Sequence, residues 1–150
     1  MKGNFFLSAS FYIIMLLFAS CLWSCTSYEP TDPIPHIVVS PEGDQPIKTQ
    51  INGKVEGANP ALYNLVVYGK RNDYWFTMHD KLYPIIPIGS DFGWVCNLLV
   101  EDGESLSEIA IFLIPNGYAP PLLSGTKIIP LKMNIVSTAK HIIFVNGTEL

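Results

Sequence analysis

Cysteine is scarce in this chain, and its placement excludes a disulfide framework. Three cysteines occur in 150 residues, at positions 21, 25 and 96, and two of them fall at the end of an N-terminal apolar stretch. If that stretch is removed in an exported protein, Cys96 is the thiol that remains without a partner, so no disulfide can form within the chain. We therefore expect a core that is held together by packing alone.

Basic residues are too few and too scattered for a nucleic-acid-binding surface. Thirteen Asp and Glu outnumber nine Lys and Arg, and the Lys and Arg residues form no run. A clustered basic patch is the electrostatic footprint of proteins that bind nucleic acids. We expect no nucleic-acid partner.

Motifs for catalysis and for metal binding are also missing from the sequence. The histidines, at positions 36, 79 and 141, lack the H-x-x-x-H or C-x-x-C spacing that brings metal ligands together. There is no G-x-S-x-G elbow and no Gly-rich phosphate loop, and Cys96 has no basic neighbour in the sequence to activate its thiol. Scattered acids such as Asp91 and Glu108 suit turns and surfaces better than a hydrolytic pair. We expect neither an enzyme nor a metal or cofactor site.

The first 24 residues are typical of an export signal. Lys2 precedes an apolar stretch, residues 5–23, which only small polar residues interrupt, and a small residue stands before each cysteine. This order defines a signal peptide. A membrane-spanning helix needs about 20 apolar residues and basic flanks, whereas this stretch is borderline in length and no basic residue follows it until Lys48. We predict that the segment is cleaved.

The end of this segment is Leu22-Trp23-Ser24-Cys25, which a polar sequence follows. It resembles the signals of bacterial lipoproteins, in which an aliphatic residue and two mostly small residues precede a cysteine that becomes the acylated N-terminus. Phe18-Ala19-Ser20-Cys21 is the alternative, although its continuation is apolar. The resemblance implies that Cys25, or else Cys21, carries palmitate and further acyl chains, which would anchor the protein permanently. An ordinary signal peptide with incidental cysteines is the other interpretation.

The position of the prolines divides the rest of the chain. Four prolines lie in residues 25–45, a density that prevents helix formation and favours extended chain. We therefore predict a lipoprotein signal peptide (1–24), a Pro-rich tether (25–45) and one folded domain (46–150). Ile37-Val38-Val39 is an alternative first strand within the tether.

The folded domain is predicted to be β almost throughout. Residues 49–56 alternate between apolar and polar, as in a strand with one wet face. Residues 62–68 are apolar on both faces, which indicates a central strand, and a hairpin leads from them into residues 74–78. Further strands are predicted at 92–100, 109–114, 127–136 and 141–145, with one helical turn near 103–108 as an option. We predict an all-β fold, a single Ig-like β-sandwich of about seven to eight strands.

Several short motifs in the middle of the domain together form a recognisable pattern. The motifs are residues 63–68 (YNLVVY), Trp75, residues 84–88 (PIIPI), Asp91-Phe92-Gly93-Trp94 and residues 108–121 (EIAIFLIPNGYAPP). The pattern, which covers residues 51–121, resembles a β-sandwich module of exported bacterial proteins that often accompanies carbohydrate-active regions. Related sequences usually have an Asp-Gly-x-Trp turn where this chain has Asp91-Phe92-Gly93-Trp94.

A cluster of aromatic residues provides the candidate binding site. Alternation along residues 73–78 places Tyr74, Phe76 and Met78 on one face, which we expect to be core, and Trp75 on the other, which we expect to be exposed. An exposed ring can stack on a sugar while Asn72 and Asp73 bond its hydroxyls. The predicted ligand-binding residues are Trp75, Tyr74, Asp73 and Asn72. Core packing is the alternative role for the aromatic residues, because each buries a large area, and we expect Trp94 to be buried with Cys96 and Leu98.

These observations together predict a lipoprotein of the bacterial cell envelope, anchored to a membrane, with its domain in the periplasm or at the cell surface. Its non-catalytic sandwich is expected to bind an extracellular ligand, with a glycan as one candidate. The alternative is a structural or assembly lipoprotein that docks an envelope protein through the same aromatic face.

Overall fold

The computed structural model of the chain describes residues 33–40, 49–80, 82–101 and 104–145. The signal segment, Cys21, Cys25 and much of the predicted tether lie outside these residues. All of the described residues belong to one compact unit, Asp32–Leu150. In this described part, no helix has the length and apolar character needed to cross a membrane.

Nine strands of the described residues form two antiparallel sheets, which confirms the predicted all-β sandwich. The small sheet has the order β1–β2–β6 and contains β1 (His36–Ser40), β2 (Gln50–Glu56) and β6 (Gly93–Asn97). The large sheet has the order β8–β4–β3–β7–β9, with β5 paired to β3 beside β4. Its strands are β3 (Tyr63–Arg71), β4 (Tyr74–Thr77), β5 (Ile86–Pro87), β7 (Glu108–Pro115), β8 (Ser124–Thr126) and β9 (Ala139–Phe144).

The first strand begins within the stretch predicted to be a tether. β1 pairs with β2 from His36 opposite Glu56 to Ser40 opposite Asn52, and its Ile37 and Val39 are buried. The His36 ring also lies 3.0 Å from the Glu56 carboxylate. The folded domain therefore includes residues upstream of position 46. This agrees with the alternative interpretation, in which Ile37-Val38-Val39 is a first strand.

The inner core fills the space between the two sheets. The alternation predicted for residues 49–56 is present in β2, where Ile51 and Val55 are buried and the polar residues between them are not. Trp94, Cys96 and Leu98 are buried in the same core, as expected. The packing of Trp94 requires glycine at position 53. A Cβ atom on residue 53 would lie 2.9 Å from the Trp94 ring and 2.0 Å from the carbonyl oxygen of Val38.

An outer core covers the opposite face of the large sheet. It contains side chains of β3, β4 and β7 together with residues of the chain that follows β7, namely Val66, Tyr68, Trp75, Ala110, Phe112, Ile114, Leu123 and Met133. The Tyr68 hydroxyl donates a hydrogen bond to the carbonyl oxygen of Pro121 at 2.9 Å, which fixes that chain over the sheet. The central position predicted for residues 62–68 is confirmed, since β3 lies between β4 and β7 and is buried on both faces.

One helix replaces a predicted strand. The sequence predicts an extended strand over residues 127–136, but the structure has helix α1 at Leu131–Val136. Pro130 stands immediately before the first helical residue, a boundary that suits the fixed φ of proline, and Leu131 and Ile135 are one helical turn apart. Six residues are too few for a stable isolated helix, so burial of Met133 in the outer core holds α1 in place. The optional turn near 103–108 is not helical at the described positions 104–108.

Candidate functional site

Trp75 is not at the surface, so the expectation that it is an exposed ligand-binding residue is wrong. Trp75 has a relative solvent exposure of 8%, and its side chain packs in the outer core. Alternation places Trp75 and Phe76 on opposite faces of β4, as predicted. Residues that follow β7 cover the outer face of the large sheet at Trp75, however, and a sugar therefore has no access to the Trp75 ring.

Asn72 and Asp73 form the tip of the β3–β4 hairpin. Arg71 pairs with Tyr74, which leaves a loop of two residues, and Asn72 and Asp73 have φ angles of 49° and 65°. Two successive residues in the left-handed region define a type I′ turn, in which Asn and Asp are among the preferred residues. Backbone geometry therefore accounts for both residue types.

The four predicted site residues do not converge on one surface. Trp75 is on the outer face of the large sheet, and Tyr74, which is partly exposed, is on the inner face. Asn72 and Asp73 are exposed at the hairpin tip. The structure thus assembles no ring flanked by hydrogen-bonding groups from these residues.

A groove lies instead along the inner face of β4, where the sequence predicted only core. It encloses about 610 Å³ and is lined by Arg71, Phe76, Thr77, Met78, Leu98, Leu99, Val100, Glu101, Leu122, Leu123 and Ser124. Phe76 is partly buried, and Leu99 and Leu122 are exposed at the rim. The groove is therefore mainly apolar and open along one side.

Hydrogen bonds to β4 and to Met78, the residue that follows it, hold both walls of the groove. On one side, the Leu99 N–H donates to the carbonyl oxygen of Met78 at 2.8 Å. On the other, the Leu123 N–H donates to Thr77 Oγ1, and the Thr77 N–H donates to the carbonyl oxygen of Leu123, each at 2.9 Å. Because each wall is bonded directly to the strand between them, the groove is preformed.

Arg71 supplies the main polar group of the groove. Its guanidinium lies 4.1 Å from the centre of the Phe76 ring and pairs with the Glu104 carboxylate. The ion pair neutralises the charge while the guanidinium retains further N–H donors. The groove can therefore hold an apolar group against Phe76 and a hydrogen-bond acceptor near Arg71.

A second depression, of about 670 Å³, is more open than the groove. It lies beside β6 and is bordered by Asn52, Lys54, Asp91 and Trp94. In the described part of the chain, the Trp94 Nε1–H is buried without a hydrogen-bond partner. A shallow surface of this kind encloses little of a ligand, so the groove beside β4 is the better candidate site.

Neither Cys96 nor Lys70 is placed for chemistry. Cys96 is fully buried, and burial raises the pKa of its thiol to about 12, so the reactive thiolate is disfavoured. The hydrogen bond from Lys70 Nζ to Glu108, at 2.6 Å, raises the pKa of Lys70 and keeps the amine protonated. Among the described residues, no three His, Cys, Asp or Glu side chains are grouped closely enough to hold a metal ion.

No pattern in the sequence predicts the groove. Phe76 and Met78 follow the alternation of core residues, and Leu99 and Leu122 are apolar residues far away in the chain. The chain matches no protein-family model, no curated protein and no solved structure. The geometry of the groove is therefore the basis on which a function can be assigned.

Proposed function

We propose that the chain is an exported, lipid-anchored lipoprotein whose non-catalytic sandwich binds a small extracellular ligand in the groove beside β4. The observation that carries this proposal is the groove itself, which is about 610 Å³ in volume, open along one side and preformed by hydrogen bonds to its walls. Small-molecule sites are typically concave and mostly apolar, have a similar volume and contain a few polar groups.

The ligand that fits this lining is amphipathic. Its apolar part packs against Phe76, Leu99 and Leu122, and its polar end accepts a hydrogen bond from Arg71. A glycan is less favoured than the sequence indicated, because the ring expected to stack on it, Trp75, is buried. Docking of an envelope protein through the same aromatic face is disfavoured for the same reason.

The anchor part of the proposal rests on the signal sequence and on the distance from Cys25 to the fold. Ten residues, 26–35, separate Cys25 from His36, the first residue of β1. A chain of that length spans at most about 40 Å. An acylated Cys25 would therefore keep the domain close to the membrane of the bacterial envelope.

Titration with N-phenyl-1-naphthylamine, an apolar dye that fluoresces when it is bound, tests the groove directly. We expect saturable binding to one site on the mature chain. Leu122→Glu places a carboxylate at the rim and should weaken binding by about ten-fold or more, since an apolar ligand would desolvate that charge. Leu62→Glu is the matched control, because Leu62 is 58% exposed against 55% for Leu122 and lies outside the groove. Equal affinities of the two variants would refute the groove as the site.

A further inference from the structure

The C-terminal part of the described chain has a charge pattern that differs from the rest of the protein. The chain has a net charge of −4, but no Asp or Glu occurs between Glu108 and Glu149. The same stretch contains Lys127, Lys132 and Lys140, all of which are exposed. The described residues that follow Glu108 therefore carry positive charge on an acidic protein.

The same stretch exposes an apolar ridge. Ile128, Leu131 and Ile135, which we call the α1 ridge, are each 72–74% exposed. Leu131 and Ile135 are one turn apart on α1, while Met133 of the same helix is buried against the large sheet. The helix thus packs through one face and presents large aliphatic side chains to its surroundings with the other.

The apolar surface continues from the α1 ridge onto β9. Ile142 pairs with Ala110, and Phe144 pairs with Glu108. Directly paired residues of neighbouring strands point to the same side of a sheet, and Ala110 belongs to the outer core beneath α1. Ile142 and Phe144, both exposed, therefore lie on the same side of the large sheet as α1. A hydrogen bond of 3.1 Å from Lys140 Nζ to Asn134 Oδ1 connects β9 with the helix.

We propose that this surface, the α1 ridge with Ile142, Phe144 and the three lysines, lies against an anionic phospholipid membrane. Large aliphatic and aromatic side chains flanked by Lys are the composition of elements that bind in the plane of a membrane interface. Each lysine near an anionic surface strengthens binding by about five-fold. Protein–protein interfaces, by contrast, are depleted in Lys, so the composition favours lipid over a protein partner.

The short connection to the anchor makes such docking effective. A segment of ten residues between Cys25 and β1 keeps the start of β1 within about 40 Å of the membrane. Tethering at this length raises the effective concentration of the surface next to the lipid, so weak docking suffices. The inference rests on the proposed anchor only for the short distance between the domain and the membrane. The surface itself is formed by described residues of the fold.

A fluorescent label at the α1 ridge tests the docking. Because Asp32–Leu150 is a compact unit, residues 26–150 can be held by an N-terminal His tag on vesicles that contain a nickel-chelating lipid. Ile135→Cys is labelled with NBD, and Cys96 does not compete because it is fully buried. Val95→Cys, an exposed position on β6 in the other sheet, is the matched control. A quencher attached to the lipid chains reports contact with the bilayer.

We expect the lipid-borne quencher to reduce NBD emission at position 135 at least about three-fold more than at position 95 on phosphatidylglycerol-containing vesicles. Lys127→Glu with Lys132→Glu should remove most of that difference, and so should vesicles of phosphatidylcholine alone. Equal quenching at positions 135 and 95 on the anionic vesicles would overturn the proposal. Protection of position 135 by an envelope protein, with no quenching from lipid, would also overturn it and identify a protein-docking surface.

The proposed anchor is tested separately from the docking. The His tag holds the chain at the vesicle whether or not Cys25 is acylated in the cell. Loss of the docking signal would leave the lipid anchor standing, and failure of the full-length chain to acquire lipid would leave the docking result standing.

Discussion

The ammonium group of Lys70 lies 5.8 Å from the centre of the Trp75 ring and 2.6 Å from a carboxylate oxygen of Glu108. Lys70 belongs to β3, Trp75 to β4 and Glu108 to β7, and Lys70 pairs directly with both of the others in the sheet. The ring of Trp75 is therefore covered by a lysine that an ion pair holds in place, in addition to its packing in the outer core. A cation so close to an aromatic ring also stabilises the arrangement.

Trp75→Ala should mainly destabilise the fold. Removal of a buried aromatic side chain costs about 3–5 kcal/mol, so urea unfolding should show a loss of this order, and Trp75→Phe should lose less. The fraction that stays folded should bind N-phenyl-1-naphthylamine with unchanged affinity, because Trp75 is not part of the groove. Unchanged stability combined with loss of glycan binding would restore the exposed role that the sequence suggested.

Asp73→Gly should stabilise the protein. Asp73 has a φ of 65° in the hairpin turn, where glycine follows Asn in the favoured type I′ sequence. Relief of this strain should raise the free energy of unfolding by about 0.5–1 kcal/mol. Asp73→Asn, which removes the charge and keeps a residue tolerant of this conformation, should leave stability nearly unchanged. A destabilised glycine variant would mean that the carboxylate contributes more than the turn geometry does.

The comparison of Trp75 with β2 shows what the sequence could and could not predict. Alternation correctly separated Ile51 and Val55 from the polar residues of β2, because one face of that strand is wet. The same rule correctly placed Trp75 opposite Phe76, but it carries no information about what covers each face. The cover over Trp75 comes from residues such as Leu123 and Met133, about 50 positions later in the sequence, and only the tertiary fold brings them there.

The groove and helix α1 were missed for related reasons. Phe76 and Leu122 are apolar residues distant in sequence, and nothing local distinguishes the rim of a groove from a core. At 127–136, the three isoleucines favour a strand, whereas the structure has a helix that begins after Pro130 and buries Met133. Tertiary packing overrode the local propensity in that segment.

Stability should fall as the pH rises above about 9. Burial raises the pKa of the Cys96 thiol from 9.0 to about 12. The unfolded chain therefore releases this proton before the folded chain does, and deprotonation favours unfolding by about 1.4 kcal/mol per pH unit between the two pKa values. The raised pKa of Lys70 acts in the same direction, since the contribution of its charged form is present at lower pH and is lost as the pH rises through the folded pKa.

Urea midpoints measured between pH 7 and pH 11 check this prediction. Cys96→Ala should have a lower midpoint at pH 7, because it leaves a small cavity, and a shallower decline above pH 9. In the native protein at pH 8, Cys96 should react with Ellman's reagent no faster than the chain unfolds. Rapid labelling under native conditions would contradict the burial that raises this pKa.

Cys25→Ala should abolish metabolic labelling of the protein with palmitate. The resemblance of Leu22-Trp23-Ser24-Cys25 to a lipoprotein signal makes Cys25 the proposed acylated residue. Cys21→Ala is the matched control and should still be labelled. Labelling that survives in Cys25→Ala and disappears in Cys21→Ala would move the mature N-terminus four residues upstream, and labelling of neither parent nor variants would remove the anchor.

Native mass spectrometry of the protein, released from its own membrane in mild detergent, tests the binding function most directly. The measurement compares the unaltered chain with the variants Leu122→Glu and Leu62→Glu. We predict a bound small molecule on the unaltered chain and on Leu62→Glu, and its loss from Leu122→Glu, because the last variant alone places a charge at the groove. The absence of any bound molecule from all three, or equal occupancy of all three, would contradict a ligand-binding groove beside β4.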